Sequence, residues 1–445
     1  MDDKISNLTR RIEWLDSIPL GWGIMPLKYT AIGKECCFID GDWIESKDID
    51  SAGIKYLTTG NVGPNKYKEQ GFGYISENTF KRLGCTEVFP GDLLISRLNE
   101  PIARTCIVPD LNSRIVTAVD NVIYRPNLDL VDKRYICYFL NSEGLTEHAN
   151  IIARGATMHR ISRTMLGHLK VLIPPMSVQK SIADFLDIKC EKIDSAIETQ
   201  QKRIGLLKEL RQNIITMAVS NGIHKDVGFV FSGDESIGNI PKHWKTIKLK
   251  FVCDIHGRVG FKGYTVDDLV PEGEGAYTIG GKHITNNVID LSDPEFIRWE
   301  KYYESPEIMV KKGDIITAQR GTLGRTALVN EDIGPATINP SLVLLNNIRI
   351  SNDFLYWCLV SNIVLTDIEL LNTSTAVPMV SQAQIKNIRI PLPPIEEQLE
   401  IVAHIETERQ KIDDAIDGTM KKLDLLNQYK QSIITEVITG KKKVI

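Results

Sequence analysis

"IPPMSVQKSIADFLDIKCEKIDSAI" runs from Ile173 to Ile197, and "LPPIEEQLEIVAHIETERQKIDDAI" runs from Leu392 to Ile416. The second passage is the first displaced by 219 residues (392 − 173). Pro174, Gln179 and Ile182 recur as Pro393, Gln398 and Ile401, and Lys192-Ile193-Asp194 recurs as Lys411-Ile412-Asp413. The match persists to Ile214-Ile215-Thr216 and Ile433-Ile434-Thr435; of the 46 ungapped pairs from Pro174 to Val219, 16 are identical. This is an internal repeat, and a repeat governs the reading of everything around it. Its period is too long for a solenoid unit, and twice 219 nearly fills the 445-residue chain.

The repeated passages read as long helices. From Ser177 to Val219 there is no proline, and Gly205 is the one glycine. Apolar residues recur at alternating steps of three and four. One heptad seam takes Leu186, Cys190, Ile193, Ile197, Gln200, Ile204, Leu207, Arg211, Ile214 and Ala218. The second copy takes Ile405, Arg409, Ile412, Ile416, Thr419, Leu423, Leu426, Lys430, Ile433 and Val437. Such a seam predicts coiled-coil packing, with polar seam positions fixing register. The double prolines suit a helix start, as do Glu396 and Glu397 beside the positive N-terminus. Asn221-Gly222 and Gly440 suit the ends. About 40 residues at ~1.5 Å each make a rod of roughly 60 Å. The two helices are expected to pack on each other antiparallel, each bearing the same outward surface.

The stretches between the helices repeat loosely. "IPLGWGIMPLKY" (Ile18–Tyr29) parallels "IPKHWKTIKLKF" (Ile240–Phe251), and "YLTTGNV" at Tyr56 parallels "YTIGGKHI" at Tyr277. "PGDLLISR" (Pro90–Arg97) parallels "KGDIITAQR" (Lys312–Arg320), and "ARTCIV" (Ala103–Val108) parallels "GRTALV" (Gly324–Val329). "RISRTMLGHLKVLIPP" parallels "MVSQAQIKNIRIPLPP" before each long helix. Short β-branched runs punctuated by Gly, Asn and Asp predict small mixed sheets with polar loops. The order is therefore domain, helix, domain, helix, with different loops on a shared scaffold.

Composition narrows the class. The chain has 42% hydrophobic and 25% charged residues, as globular proteins do. At this length two or more domains are expected. No run approaches the ~18 apolar residues of a membrane span, and "MDDKISNLTRRIEW" has no signal-peptide core. A cytoplasmic protein is expected. Eight cysteines without a C-x-x-C pair read as reduced thiols, with no metal site. A net charge of −4 and a pI near 6.1 argue mildly against nucleic acid, yet local charge is free to differ. Asp40, Asp42, Glu45 and Lys47 superficially resemble part of a metal nuclease site, but no second such cluster occurs. Neither Pro174-Pro175 nor Pro393-Pro394 lies in the Asn/Asp-Pro-Pro-aromatic loop of a methyltransferase. No G-x-x-x-x-G-K-[ST] phosphate loop is present.

As an ordered, duplicated set, the two "PP…Q…I…KID" helices, the two "GD(L/I)(L/I)" turns and the two "IP…W…LK" openings resemble the specificity subunit of type I restriction–modification enzymes over essentially the whole chain. The resemblance implies an α+β fold. It has two mixed α/β target-recognition domains separated by two long antiparallel coiled-coil helices, in a pseudo-two-fold internal repeat. The expected bounds are 1–173 and 222–392 for the domains, 174–221 for the first helix, and 393–445 for the second helix with its tail. It implies no catalytic residue and no cofactor. Each domain would read one half of an asymmetric, interrupted duplex DNA target. The helices would set the spacing and dock two adenine-N6 methyltransferase subunits, and motor-nuclease subunits would join the full complex. A pseudo-dyad suits half-sites about one DNA turn, roughly 34 Å, apart. The seam is expected at Leu186, Ile193, Ile197, Ile204, Leu207, Ile214, Ile405, Ile412, Ile416, Leu423, Leu426 and Ile433.

Expected DNA contacts in the first domain are Thr59, Asn61, Arg97, Asn99, Arg104, Thr157, His159 and Arg160. In the second they are Lys282, His283, Gln319, Arg320, Thr322, Arg325, Ser374 and Thr375. Arg reads guanine through two hydrogen bonds, Asn and Gln read adenine, and Ser or Thr holds phosphate. Arg104 and Arg325 hold equivalent positions, which suits phosphate or scaffold, and Arg97 with Arg320 is read the same way. His159 and Arg160 differ from Val377-Pro378-Met379 and suit half-site-specific contact. Two other readings fit parts of the pattern: a specificity subunit of a fused restriction–methylation system, and a coiled-coil scaffold that binds only proteins.

Overall fold

The structure, a computed structural model, describes residues 12, 14–15, 17–153, 159–224, 226–258, 263–372 and 377–444. Contacts divide the chain into two compact units: residues 1–201 with 421–445, and residues 202–420.

In the first unit a four-stranded antiparallel sheet runs in the order Cys37–Asp40, Asn121–Arg125, Leu93–Ser96, Thr105–Ile107. A smaller sheet orders Gly73–Ile75, Ile54–Leu57 and Ile115–Thr117, the last pair parallel. Gly23–Pro26 pairs with Lys170–Ile173 beside the start of the first long helix. The second unit repeats this plan. Its main sheet orders Asp254–His256, Leu342–Asn346, Ile315–Ala318 and Thr326–Leu328. Its smaller sheet orders Leu269–Val270, Phe296–Arg298, Gly275–Ile279 and Ala336–Ile338, again with the last pair parallel. Lys245–Lys248 pairs with Arg389–Leu392. A hairpin of Phe229–Phe231 with Asn239–Pro241 is an addition.

The strands Leu93–Ser96 and Ile315–Ala318 are mostly apolar because they are buried on both faces, with Ser96 and Thr317 as the polar exceptions. Successive side chains point to opposite faces. Leu93 and Ile95 enter the core shared with the long helices, whereas Leu94 packs with Cys106, Val108, Ile115 and Ile123 on the other side. Ile315 and Ile316 divide in the same way in the second unit.

The long helices span Met176–Asn221 and Ile395–Ile438. The repeated glutamine near each start has one job in both copies. Gln179 is fully buried; its Oε1 accepts from Asp132 N at 2.8 Å, and its Nε2 donates to Pro174 O at 2.9 Å and Leu130 O at 3.0 Å. Gln398 accepts from Ser351 N at 3.0 Å and donates to Pro393 O at 2.9 Å. Asp132 and Ser351 are themselves the caps of Lys133–Leu140 and Asn352–Val360. The amide thus fastens each long helix to a domain helix, satisfying backbone groups that burial would otherwise orphan.

Each domain core takes in pieces of both long helices. Ile182, Ala183, Leu186, Cys190 and Ile193 join Ile433, Ile434, Val437 and Ile438 in the first unit. Ile215, Ala218 and Val219 join Ile401 and Ile405 in the second. All twelve named seam residues are buried or half-buried. Each helix ends at a glycine in the left-handed region, Gly222 and Gly440, both with φ 73°. A Cβ at Gly222 would lie 3.0 Å from Trp244, and one at Gly440 would lie 3.1 Å from Trp22 and 2.5 Å from Pro19. The "IP…W" openings are therefore seats for helix ends. Among the described residues no single helix is long and apolar enough to cross a membrane.

Candidate nucleic-acid interface

In each unit the central strand leaves the main sheet at a corner where three loops meet. The backbone bonds there correspond residue for residue. Ser96 N donates to Arg104 O, as Ala318 N does to Arg325 O. Arg97 N donates to Asp120 O, as Gln319 N does to Ser341 O; Ile161 N donates to Arg97 O, as Val380 N does to Gln319 O. Asn99 N donates to His159 O, as Gly321 N does to Pro378 O. Single β-bridges join Leu98 to Arg160 and Arg320 to Met379. Arg97 is thus equivalent to Gln319, and Leu98 to Arg320. This corrects the pairing of Arg97 with Arg320. Matching the last arginines of the two "GD" turns inserts a residue that the backbone lacks.

Several expected contacts are committed inside the protein. Arg104 donates through Nε to Val62 O at 2.8 Å and through Nη2 to Thr59 O at 3.0 Å; Nη1 reaches Leu98 O and Asn99 O at 2.9 and 2.8 Å. Burial pushes its pKa below the ordinary guanidinium value. Arg325 reaches Gly281 O and Ile284 O at 3.4 and 3.5 Å. Both arginines face the same turn; the Arg104 guanidinium is scaffold, whereas Arg325 touches the turn through Nη1 and stays exposed. Asn61 is fully buried, with Oδ1 accepting from Thr58 N and Nδ2 donating to Lys68 O and Gln70 O. His283 takes its place in the second unit. Its Nδ1 accepts from Gly280 N at 2.9 Å, which leaves the proton on Nε2 to reach Asp293 O at 3.0 Å. An amide and a neutral imidazole do one structural task, and neither offers an edge to a ligand.

The other expected residues are more accessible. Thr59 and Gln319 are half-buried, and Gln319 Nε2 donates to Pro340 O at 3.1 Å. Asn99, His159, Arg160, Lys282, Arg320 and Thr322 are exposed. His159 Nδ1 lies 3.0 Å from Glu100 Oε1. Lys282 is held 2.8 Å from Asp293 and 3.0 Å from Glu295. Thr157, Ser374 and Thr375 lie outside the described residues.

The first domain's corner carries an alternating line of charge. Arg160 meets Asp120 at 2.7 Å and Asp120 lies 3.9 Å from Arg97. Arg97 meets Asp40 at 3.2 Å, and Asp40 lies 3.6 Å from Arg163. Arg97 is buried; its Nη2 donates to Val119 O at 2.6 Å and its Nη1 to Ile161 O at 3.3 Å. Desolvation lowers its pKa and Asp40 opposes that shift. Arg97 is therefore a buried tie beneath the exposed Arg160 and Arg163. Asp120 and Arg163 had no signal in the sequence, because the network is assembled from strand ends remote from one another. The acids around Asp40 do not converge: Asp42 accepts from Thr86 N at 2.9 Å and Glu45 pairs with Lys47 at 2.6 Å. Among the described residues no group of three or more His, Cys, Asp or Glu could hold a metal ion. Burial raises several thiols, Cys106 to about 12.

Known proteins agree with this architecture. The profile of the type I restriction modification DNA specificity domain matches residues 34–207 and again 241–423. A relative from Methanocaldococcus jannaschii, provisionally named the type I restriction enzyme MjaX specificity subunit, is 25% identical over 443 residues, covering 94% of this chain and 96% of its own. The type I restriction enzyme EcoBI specificity subunit of Escherichia coli is 24% identical over 364 residues, covering 79% and 74%. A chain solved in work on complex assembly and conformational transition of the type I R-M system shares the fold. Its TM-score is 0.69 at 17% identity, over 95% of this chain and 99% of that one. Two tandem copies of one specificity domain, each on the same backbone plan, place this chain in the type I restriction–modification DNA specificity family.

Proposed function

We propose that this chain is the sequence-reading, non-catalytic subunit of a cytoplasmic type I restriction–modification assembly. Each domain would read one half of an asymmetric, interrupted duplex target. The carrying observation is the corner built twice on one backbone and furnished with different side chains. Equivalent geometry suits equivalent half-site placement, and different side chains suit different bases.

The long helices would form an antiparallel coiled coil with a pseudo-two-fold axis. Lys430 meets Asp194 at 2.5 Å and Arg211 meets Asp413 at 2.7 Å. These pairs are repeat-mates, since 194 + 219 = 413 and 211 + 219 = 430. The helices also repeat an outward surface. Leu206 and Leu425 are 65% and 63% exposed, each with an exposed Leu210 or Tyr429 one turn on. Lys202 with Arg203, and Lys421 with Lys422, lie beside them, all exposed. One such surface in each unit suits two copies of one partner, here the methyltransferase subunit that would methylate adenine N6. Motor-nuclease subunits would complete the restriction complex.

The test is binding of a duplex bearing the target by the chain alone and with its methyltransferase. The net charge of −4 leaves much of the phosphate grip to the partner. Binding should be weak alone, tight with the partner, and fall steeply with salt. Binding that ignores both sequence and salt would favour a protein-only scaffold.

A further inference from the structure

The corner equivalences expose a transposition. In the first domain the cross-strand pair is Leu98 with Arg160; in the second it is Arg320 with Met379. Each pair holds one arginine and one large apolar residue, on opposite strands. The exchange reaches the whole charged line. Arg160, Asp120, Arg97, Asp40 and Arg163 correspond to Met379, Ser341, Gln319, Gly257 and Gln382, through the backbone bonds above, the Ser162 and Ser381 helix caps, and the strand registers. Gln382 lies over Gly257, where a Cβ would meet its Nε2 at 2.6 Å. Every charge in that line is replaced by a neutral group, and a new one stands at Arg320.

We infer that Arg160 in the first domain and Arg320 in the second are the arginines that read base edges, presented from opposite strands of one cross-strand pair. The inference rests on the DNA-reading function proposed above. Three observations carry it. The arginines common to both corners, Arg104 and Arg325, reach backbone carbonyls of the same turn, Arg104 through all three of its nitrogens and Arg325 through Nη1. A phosphate grip would be needed alike in both halves, whereas this charge changes strand. Both side chains are exposed but held: Arg160 by Asp120 at 2.7 Å, and Arg320 with Nη2 3.2 Å from Met379 Sδ. Among the described residues Arg320 pairs with no carboxylate. A guanidinium so placed can face the O6 and N7 of guanine, which a lysine cannot bridge in the same way. Moving the arginine across the pair moves the guanine it faces, so each half-site would hold its guanine at a different place.

The test uses the full methyltransferase complex on a duplex library with both half-sites randomised. R160A should relax one base pair of one half-site, and R320A one base pair of the other, by on the order of 10- to 100-fold. R160K and R320K should relax them nearly as much. Full selectivity in the lysine variants would overturn the inference. So would a uniform loss over all sequences with a salt slope reduced by about one, the mark of a phosphate contact. Unchanged selectivity in R160A and R320A would also overturn it. A wild-type complex that marks no interrupted motif would overturn the parent reading itself, and this inference with it.

Discussion

Gln179 shows how much one residue can carry. The repeat singles it out, yet nothing in the sequence says what it holds; its partners, Asp132 N and Leu130 O, come from a loop more than forty residues away. Replacing it with leucine keeps the volume and strands several buried polar groups, each worth about 1–3 kcal/mol. Q179L and Q398L should each lower the stability of their own domain by about 3 kcal/mol, seen as an early transition in chemical denaturation. A change below about 0.5 kcal/mol would contradict the fastening role. Asn61 and His283 teach the opposite lesson. Both residue types can contact DNA, and both were expected to, but burial and complete hydrogen bonding give them to the scaffold. Sequence supplies donor chemistry; only the fold says whether the donor is already taken.

The long helices were the most legible elements, because proline, glycine and heptad spacing act locally. Their partners were less so. Arg211 and Lys430 read as polar seam residues, and the structure gives each an aspartate. These pairs are partly exposed, so each is worth about 0.5 kcal/mol and bears more on register than on stability. Leu206 and Leu425 face outward, so aspartate there should leave the melting temperature within about 2 °C. L206D or L425D alone should halve the methyltransferase that co-purifies, and the double variant should abolish it. Undiminished co-purification from the double variant would remove this surface from the partner interface. The sheets were legible as short strands but not in register. The one-residue misplacement of Arg97 against Arg320 came from matching a side chain where the backbone sets the count.

For the whole molecule, the two units obey one plan, and their joints do too. The end of the first long helix sits against Pro241 and Trp244, and the end of the second against Pro19 and Trp22. One joint is covalently continued and the other is packed. A circular permutant that joins residues 445 and 1 through a flexible linker, keeping the buried Ile12 and Leu15, and opens the chain within residues 225–228, ahead of the hairpin, should fold. Its melting temperature should stay within about 3 °C of the parent. Failure to fold would mean that the packed joint depends on the native connection.

Together the two domains would choose the DNA sequence to be methylated. A genome-wide map of N6-methyladenine, with the gene intact and deleted in cells carrying the methyltransferase, decides this. Deletion should remove one asymmetric motif, two short half-sites around a fixed unspecified gap, and nothing else. A map that keeps every motif when the gene is lost, with the methyltransferase present and active, would contradict it.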